Sequence, residues 1–220
     1  MRGKFIVFEG TDSSGKKTQT NILAERLRKE GKKVEVIHFP TYQETPFGIF
    51  VAKYLKGDFG SKEEMTPEIC SLFYSLDRYQ LQEELEKKLE SGTYIISDRY
   101  TASNIFQAAK LDGKKRFELW EWIKCLDKRL PQPDITIILN VPAGISKKLF
   151  SKREIKNELM KNDKDIHEED TEYQEKVRKT YLEIAEKEGW IIINCFKSVG
   201  GKQELLTPEK IHEMVNKNIF

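Results

Sequence analysis

The chain has 220 residues, with 38 Lys plus Arg against 36 Asp plus Glu and a formal net charge of +2. That length suits one domain with a small insert, and so even a charge balance argues against nucleic acid or an anionic membrane as a partner. No apolar run is long enough to span a bilayer, and the scattered Cys70, Cys125 and Cys195, without C-x-x-C spacing, read as free thiols of a cytoplasmic chain rather than a metal site or disulfide framework.

The opening MRGKFIVFEG reads as a strand at Phe5–Phe8 entering a glycine turn, not as a signal peptide. After the loop Gly10–Thr18, the pattern NILAERLRK predicts a helix at Asn21–Lys29 that ends near Gly31. A second apolar run follows at Val34–Phe39. Tyr74 and Arg78 fall within a helix that continues through Leu81–Leu89 and stops at Ser91-Gly92. The third run is Tyr94–Ser97; a helical stretch at Phe117–Leu130 ends at Pro131, and the fourth run is Ile135–Leu139. Ser151–Asp170 is almost wholly charged and reads as a solvated connection or a mobile lid. A charged helix at Tyr173–Glu188 stops at Gly189, the fifth run is Trp190–Asn194, and Thr207-Pro208 opens a last helix reaching about Asn218. Short Ile- and Val-rich runs alternating with helices indicate an α/β fold, a five-stranded parallel sheet with helices on both faces.

The chemistry starts in GTDSSGKKT. Phosphate-binding loops follow G-x-x-x-x-G-K and then Ser or Thr, between a strand and a helix. Gly10, Gly15 and Lys16 fit, and the strand and helix are in place. Glycines let successive N–H groups of Thr11, Asp12, Ser13 and Ser14 turn inward, where the helix N-terminus adds positive potential. Lys17 stands where the magnesium-binding hydroxyl is expected. Thr18 cannot simply substitute, since one further helical residue points about 100° away. A dinucleotide-binding G-x-G-x-x-G is excluded, because the third position of the motif is not Gly.

Ligands of open parallel sheets sit beyond the carboxyl ends of the strands. Asp98 and Arg99, at the end of the third run, would emerge there, one to bind magnesium directly or through water, the other to bridge phosphates; a surface ion pair is the plainer reading. Tyr74 and Arg78 are four apart and share a helix face, suited to stack on a base and bond its edge, or simply to pack.

Together these stretches resemble the thymidylate kinase family of nucleoside-monophosphate kinases. FEGTDSSGKKTQ is similar to its phosphate loop, LFYSLDR to its aromatic-x-x-x-Arg helix and SDRYTASNIFQAAK to its Asp-Arg segment. PDITIILNVP is similar to its fourth strand, and DIHEED with VRKTYLEIAEKEGWIIIN to the segment after its lid. The resemblance implies one P-loop kinase domain over residues 1–220, with a lid at about 148–170, that transfers phosphate from ATP with Mg2+ to dTMP. It implies that the base stacks on Tyr74, that Arg78 bonds a thymine carbonyl, and that Ser103 and Gln107 read the same edge. Asp12 would approach the 3′-hydroxyl, Tyr100 the sugar, and Arg99 the acceptor phosphate. Tyr42 falls where many relatives carry an Arg for that phosphate. Adenine would lie near Phe196–Gly201. With Ser13 and Ser14 in the loop, the catalytic arginine is expected in the lid, at Arg153. Asn140 replaces the family's Asp after the fourth strand, and the spacing from Ser103 to Gln107 is one residue short. A homodimer through helices on the sheet is implied as well. The rival readings are a kinase of dUMP, UMP or CMP, and a nucleotide-binding protein whose catalysis Lys17 impairs.

Overall fold

The computed structural model describes residues 2–60, 64–149 and 170–219. The five apolar runs form β1 (Phe5–Glu9), β2 (Val34–His38), β3 (Tyr94–Asp98), β4 (Ile135–Asn140) and β5 (Ile191–Asn194). They pair in parallel in the order β2-β3-β1-β4-β5. β1 lies at the centre and is buried along its whole length, which explains its unbroken FIVF.

Alternation along β1 divides the core between the two faces of the sheet. Ile6 and Phe8 pack with Ile96, Ile137 and Leu139 against Leu23 and Leu27 of α1 (Lys16–Lys29) and Ile211 and Val215 of α9 (Pro208–Ile219). On the opposite face Phe5 and Val7 meet Leu85 and Leu89 of α4 (Gln82–Glu90). There too, Ile138 meets Tyr181 and Ile184 of α8 (Thr171–Glu188) and Trp120 of α6 (Gly113–Leu126). Each such side chain contributes about 1.5–3 kcal/mol by leaving water.

The order matters for function because β1 is flanked by β3 on one side and β4 on the other. The chain ends of these three strands, Glu9, Asp98 and Asn140, therefore converge on one edge, where the crevice of such a sheet lies.

Several elements depart from the sequence reading. Helix α2 (Pro46–Lys56) was not expected; Thr45 caps it by accepting from Gly48 N, and Pro46 opens its first turn. The helix through Tyr74 and Leu89 is two helices, α3 (Pro67–Tyr79) and α4, broken at Gln80-Leu81. Beyond β5 the chain forms an antiparallel hairpin, β6 (Phe196–Val199) and β7 (Lys202–Leu205), turned by Gly200 and Gly201 at φ of 55° and 77°. A short helix α5 (Ile105–Ala108) precedes α6, and α7 occupies 143–149. Among the described residues no helix is long and apolar enough to cross a membrane.

Candidate functional site: a phosphate loop joined to an aromatic cleft

The loop between β1 and α1 curls as its glycines allow. Gly10 takes a φ of 140°, and a Cβ there would lie 2.7 Å from the Leu139 carbonyl oxygen. Gly15 precedes the first helical residue at a φ of 90°, and Ser13 also has a positive φ of 55°. Lys16 Nζ lies inside this curl, donating to Thr11 O at 2.7 Å, Gly10 O at 3.2 Å and Ser14 Oγ at 3.4 Å. Burial, aided by the Arg99 guanidinium, pushes the amine down to about 8, while Asp98, Asp12 and Glu9 act in the opposite direction. Lys17 and Thr18 are exposed on the first turn of α1.

Arg99 ties the loop to the rest of the site. It adopts a left-handed φ of 70° directly after β3. Nη1 donates to Gly10 O at 3.1 Å and to Ser103 Oγ at 3.4 Å, and Nη2 donates to Asp12 Oδ1. Its guanidinium carbon stands 5.0 Å from the centre of the Phe106 ring, a cation–π arrangement. The other Asp12 oxygen accepts from Gln174 Nε2 of α8 at 2.6 Å.

Beneath Arg99 lies Glu9, fully buried, whose carboxylate accepts from Tyr100 N at 2.8 Å, Ser103 Oγ at 2.8 Å and Tyr181 OH at 2.9 Å. Burial raises its pKa, against the opposing pull of Arg99 and these hydrogen bonds. The Ser103 proton is thus committed to Glu9, which leaves that hydroxyl an acceptor toward the site.

From Asp12 and Arg99 a cleft opens between α2, α3 and α5. Pro40, Tyr42, Leu55, Tyr74, Ser103, Phe106 and Gln107 complete its walls. The cleft thus combines a guanidinium with aromatic rings, Arg99 standing over Phe106, and single polar groups beside them. Such a shape suits a small molecule with a phosphate at one end and a flat ring at the other.

Residues 8–204 match the family model for thymidylate kinase. The chain belongs to the thymidylate kinase family. It is 31% identical over 199 residues to thymidylate kinase of Plasmodium falciparum, covering 90% of this chain and 85% of that one. It is 33% identical over 185 residues to thymidylate kinase of Schizosaccharomyces pombe, covering 78% and 82%. A solved structure of thymidylate kinase from Candida albicans superposes with a TM-score of 0.73 at 29% identity, covering 99% of this chain and 91% of that chain. As a member of this family the protein is a nucleoside-monophosphate kinase that phosphorylates dTMP to dTDP with ATP as donor.

Against that family's expectations, the structure gathers Asp12, Tyr42, Tyr74, Arg99, Ser103 and Gln107 around one cleft, the short spacing to Gln107 included. Two expected dTMP contacts are placed elsewhere. Arg78 is 1% exposed, and its Nη2 donates to Asp127 Oδ2 at 2.8 Å and Ser75 Oγ at 3.1 Å. Nη1 donates to the Tyr100 carbonyl at 3.4 Å. Arg78 and Tyr74 share a helix, but Asp127, 49 residues further on, draws the guanidinium into the interior. Tyr100 is 0% exposed and packs edge-on against Phe5 at 4.8 Å and beside Phe39 at 5.3 Å, so it is a core residue. Arg153 and most of the lid segment lie outside the described residues.

Asn140 ends β4 with a neutral side chain that is fully bonded. Its Nδ2 donates to Asn194 Oδ1 at 2.7 Å across the ends of β4 and β5, and its Oδ1 accepts from Arg178 Nη1 at 2.8 Å. Arg178 is already paired with Glu175, so a neutral acceptor at position 140 completes its bonding.

Sequence reading missed four contributors. Glu9 was hidden inside FIVFE, although a carboxylate at the end of a central strand is itself a signal. Gln174 and Phe106 meet the site only through tertiary packing. Asp77 is the anchor of the Pro40–Tyr42 wall. It accepts from Thr41 N at 2.9 Å, from Thr45 Oγ1 at 2.9 Å, from Gln80 Nε2 at 3.0 Å and from the Thr41 hydroxyl. Gly48 lets α2 approach that wall, since a Cβ there would lie 2.5 Å from the Tyr42 carbonyl oxygen. Asp77→Ala would leave these buried donors unpaired, and we expect it to cost about 2–4 kcal/mol of stability. Urea denaturation checks this, and the dTMP KM should rise in the same variant as Tyr42 loosens.

Proposed function

We propose that the cationic loop holds the ATP phosphates, that the aromatic cleft holds dTMP, and that Arg99 and Asp12 join the two. The carrying observation is the Arg99 contact set, which spans Gly10 of the loop, Asp12 and Ser103 of the cleft. In this reading the loop is Gly10, Thr11, Asp12, Ser13, Ser14, Gly15, Lys16, Lys17 and Thr18, with its amides and Lys16 on the β- and γ-phosphates. The thymine ring stacks on Tyr74 and Phe106, with Ser103 and Gln107 at its edge. Asp12 faces the 3′-hydroxyl, and Tyr42 and Arg99 face the acceptor phosphate.

The reaction follows from that alignment. An oxygen of the dTMP phosphate attacks the γ-phosphorus of ATP in line, and the bond to the β-bridging oxygen breaks to release ADP. Little covalent work falls to the protein. Lys16 and Arg99 hold donor and acceptor together and meet the charge on the equatorial oxygens. Arg153, in a lid at about 148–170, is the proposed additional cation.

The donor set fits a Mg2+ carried mainly by phosphates and water. Asp98, at the end of β3, is a hard oxygen ligand close enough to Lys16 to act on its charge, and among the described residues no cluster of three potential ligands forms a dedicated metal cage. When bound, the ion would neutralise phosphate charge, with Asp98 holding it directly or through water. Lys17 points into solvent and does not obstruct the loop, which weighs against impaired catalysis.

We also propose a homodimer, supported by the exposed Ile49 and Phe50 of α2 and Ile69, Leu72 and Leu76 of α3, and a cytoplasmic location, consistent with Cys70, Cys125 and Cys195 all being free. The Candida albicans structure is described as revealing the origin of broad substrate specificity, so the range of acceptors is the property to measure. The test is ADP release with dTMP, dUMP, UMP and CMP at varied magnesium. We expect dTMP to give the highest kcat/KM; an equal value with UMP or CMP would overturn the assignment of the cleft.

A further inference from the structure

The guanidinium fork of Arg99 is held from beneath by a charge that the mechanism above does not use. Glu9 ends the central strand β1 and is fully buried. It reaches Arg99 along two routes. The first is the backbone. Arg99 N donates to Phe8 O at 2.9 Å, and Ser97 Oγ donates to Arg99 O at 2.6 Å. Tyr100 N, the next donor along the chain, goes to Glu9 Oε1 at 2.8 Å. These bonds bracket the left-handed φ of 70° at Arg99. A residue with a side chain keeps such a conformation only where its surroundings over-determine it. The second route is the side chain. Ser103 Oγ accepts from Arg99 Nη1 at 3.4 Å and donates to Glu9 Oε2 at 2.8 Å.

The donors of the fork can then be counted. A guanidinium has five N–H groups. Nη1 serves Gly10 O and Ser103 Oγ, and one proton of Nη2 serves Asp12. The second Nη2 proton and the Nε proton make no hydrogen bond among the described residues, so these two are left for phosphate oxygens.

Packing alone does not call for a charge at position 9. A glutamine there would accept from Tyr100 N through its oxygen and donate from its nitrogen to Ser103 Oγ and Tyr181 OH, since both hydroxyls also accept. A buried carboxylate is costly where a neutral group would serve. What the charge does is fix direction. Both hydroxyls must donate to it, and Tyr181 keeps its proton, because burial and then the Glu9 charge hold its phenol well above the ordinary value. Ser103 is left to offer a lone pair to Arg99.

We propose that Glu9 is a positioning residue for phosphoryl transfer, which through the Tyr100 amide and the Ser103 hydroxyl fixes the plane of the Arg99 fork and keeps Nε and one Nη2 proton for the phosphates. This rests on the reading of Arg99 as the residue that meets those phosphates.

The test is Glu9→Gln, which keeps the shape and removes the charge. Its amide nitrogen would take the Ser103 lone pair and turn that hydroxyl's proton toward the fork. We expect kcat with dTMP to fall about thirtyfold, with ATP affinity at pH 7 within about threefold of wild type. The melting temperature should not fall, because a buried charge has been removed. In an Arg99→Met background the same change should alter kcat by less than about twofold, since no fork remains to be oriented. A merely structural role would lower stability and would cost activity in both backgrounds. Should Glu9→Gln fail to fold, Tyr181→Phe keeps its ring, removes one of the three bonds that fix the carboxylate, and is expected to lower kcat about fivefold. A kcat within about threefold of wild type in Glu9→Gln, an unchanged kcat in Tyr181→Phe, or an equal loss with and without Arg99 overturns the positioning role. Undiminished dTMP turnover in Arg99→Met alone would instead overturn the reading of Arg99 on which it rests.

Discussion

Lys16→Met is expected to lower kcat/KM for ATP about a thousandfold without lowering the melting temperature at pH 7. The first half follows from position. Lys16 Nζ is the only side-chain amine bonded within the loop among the described residues, and it sits among carbonyls at the centre of the amide curl. A thousandfold is about 4 kcal/mol of transition-state stabilisation, a reasonable share for one preorganised cation in a dry site. The second half follows from the pKa. The amine is held down to about 8 in the folded chain, against 10.5 as the ordinary value, chiefly by burial. Between these values the unfolded chain binds more protons, so this group's contribution to stability rises with pH through that window and is absent below about 8. At pH 7 the charged amine is therefore a burden of up to a few kcal/mol, offset by its bonds to Gly10, Thr11 and Ser14. Methionine removes both, with a similar shape. The loop thus holds a group that opposes stability and serves binding.

The same amine sets a pH dependence. Phosphates favour its charged form, so ATP affinity should fall as pH rises through about 8, by roughly tenfold at pH 9 if the neutral amine does not bind. Calorimetric titration between pH 7 and 9.5 measures this. A flat profile in the wild type, or an unchanged inflection in Lys16→Met, would mean that another group carries it.

How much of this was legible beforehand depends on whether the signal was local. Three of the five strands, β1, β3 and β4, bury apolar side chains on both faces, and β2 and β5 show the same Ile- and Val-rich runs at the sheet edges; such runs survive without knowledge of partners. The loop was readable because strand, glycines and Lys16 are contiguous. The hairpin β6–β7 was not, since three of its four β6 positions are exposed and FKSV and KQEL show no apolar face; only Gly200-Gly201 marked the turn. Helix α2 announced itself only by Thr45-Pro46. The cleft was partly readable. Tyr74 and Gln107 line the cleft beside Arg99, whereas Arg78 and Tyr100 are buried in the interior. Whether an arginine faces a ligand or a buried aspartate is decided by a residue 49 positions away, which no periodicity records. Glu9, Asp77 and Gln174 were missed for the same reason: each acts through partners distant in sequence.

Arg99→Met should lower kcat/KM for dTMP about a thousandfold and at the same time shift the ATP pH profile. Arginines that meet a transferring phosphoryl group contribute about 10³–10⁵ in rate, and Arg99 is the guanidinium that lines the cleft among the described residues. Methionine keeps an apolar contact with Phe106 and leaves Asp12 bonded to Gln174, so the fold should persist with a loss of about 1–3 kcal/mol. The second effect is independent of substrate chemistry. The Arg99 charge is one of the two causes that push Lys16 down, while Asp12 and Asp98 push it up. With Arg99 gone the amine gains protons more readily, and the inflection in ATP affinity must move above 8. Arg99→Lys separates the two roles. It retains the charge, so the inflection should stay near the wild-type value. It lacks the fork that reaches Gly10, Ser103 and Asp12 together, so dTMP turnover should remain poor. If Arg99→Met leaves the inflection in place, the guanidinium does not act on Lys16, and the link drawn between the donor loop and the acceptor cleft through this residue is wrong.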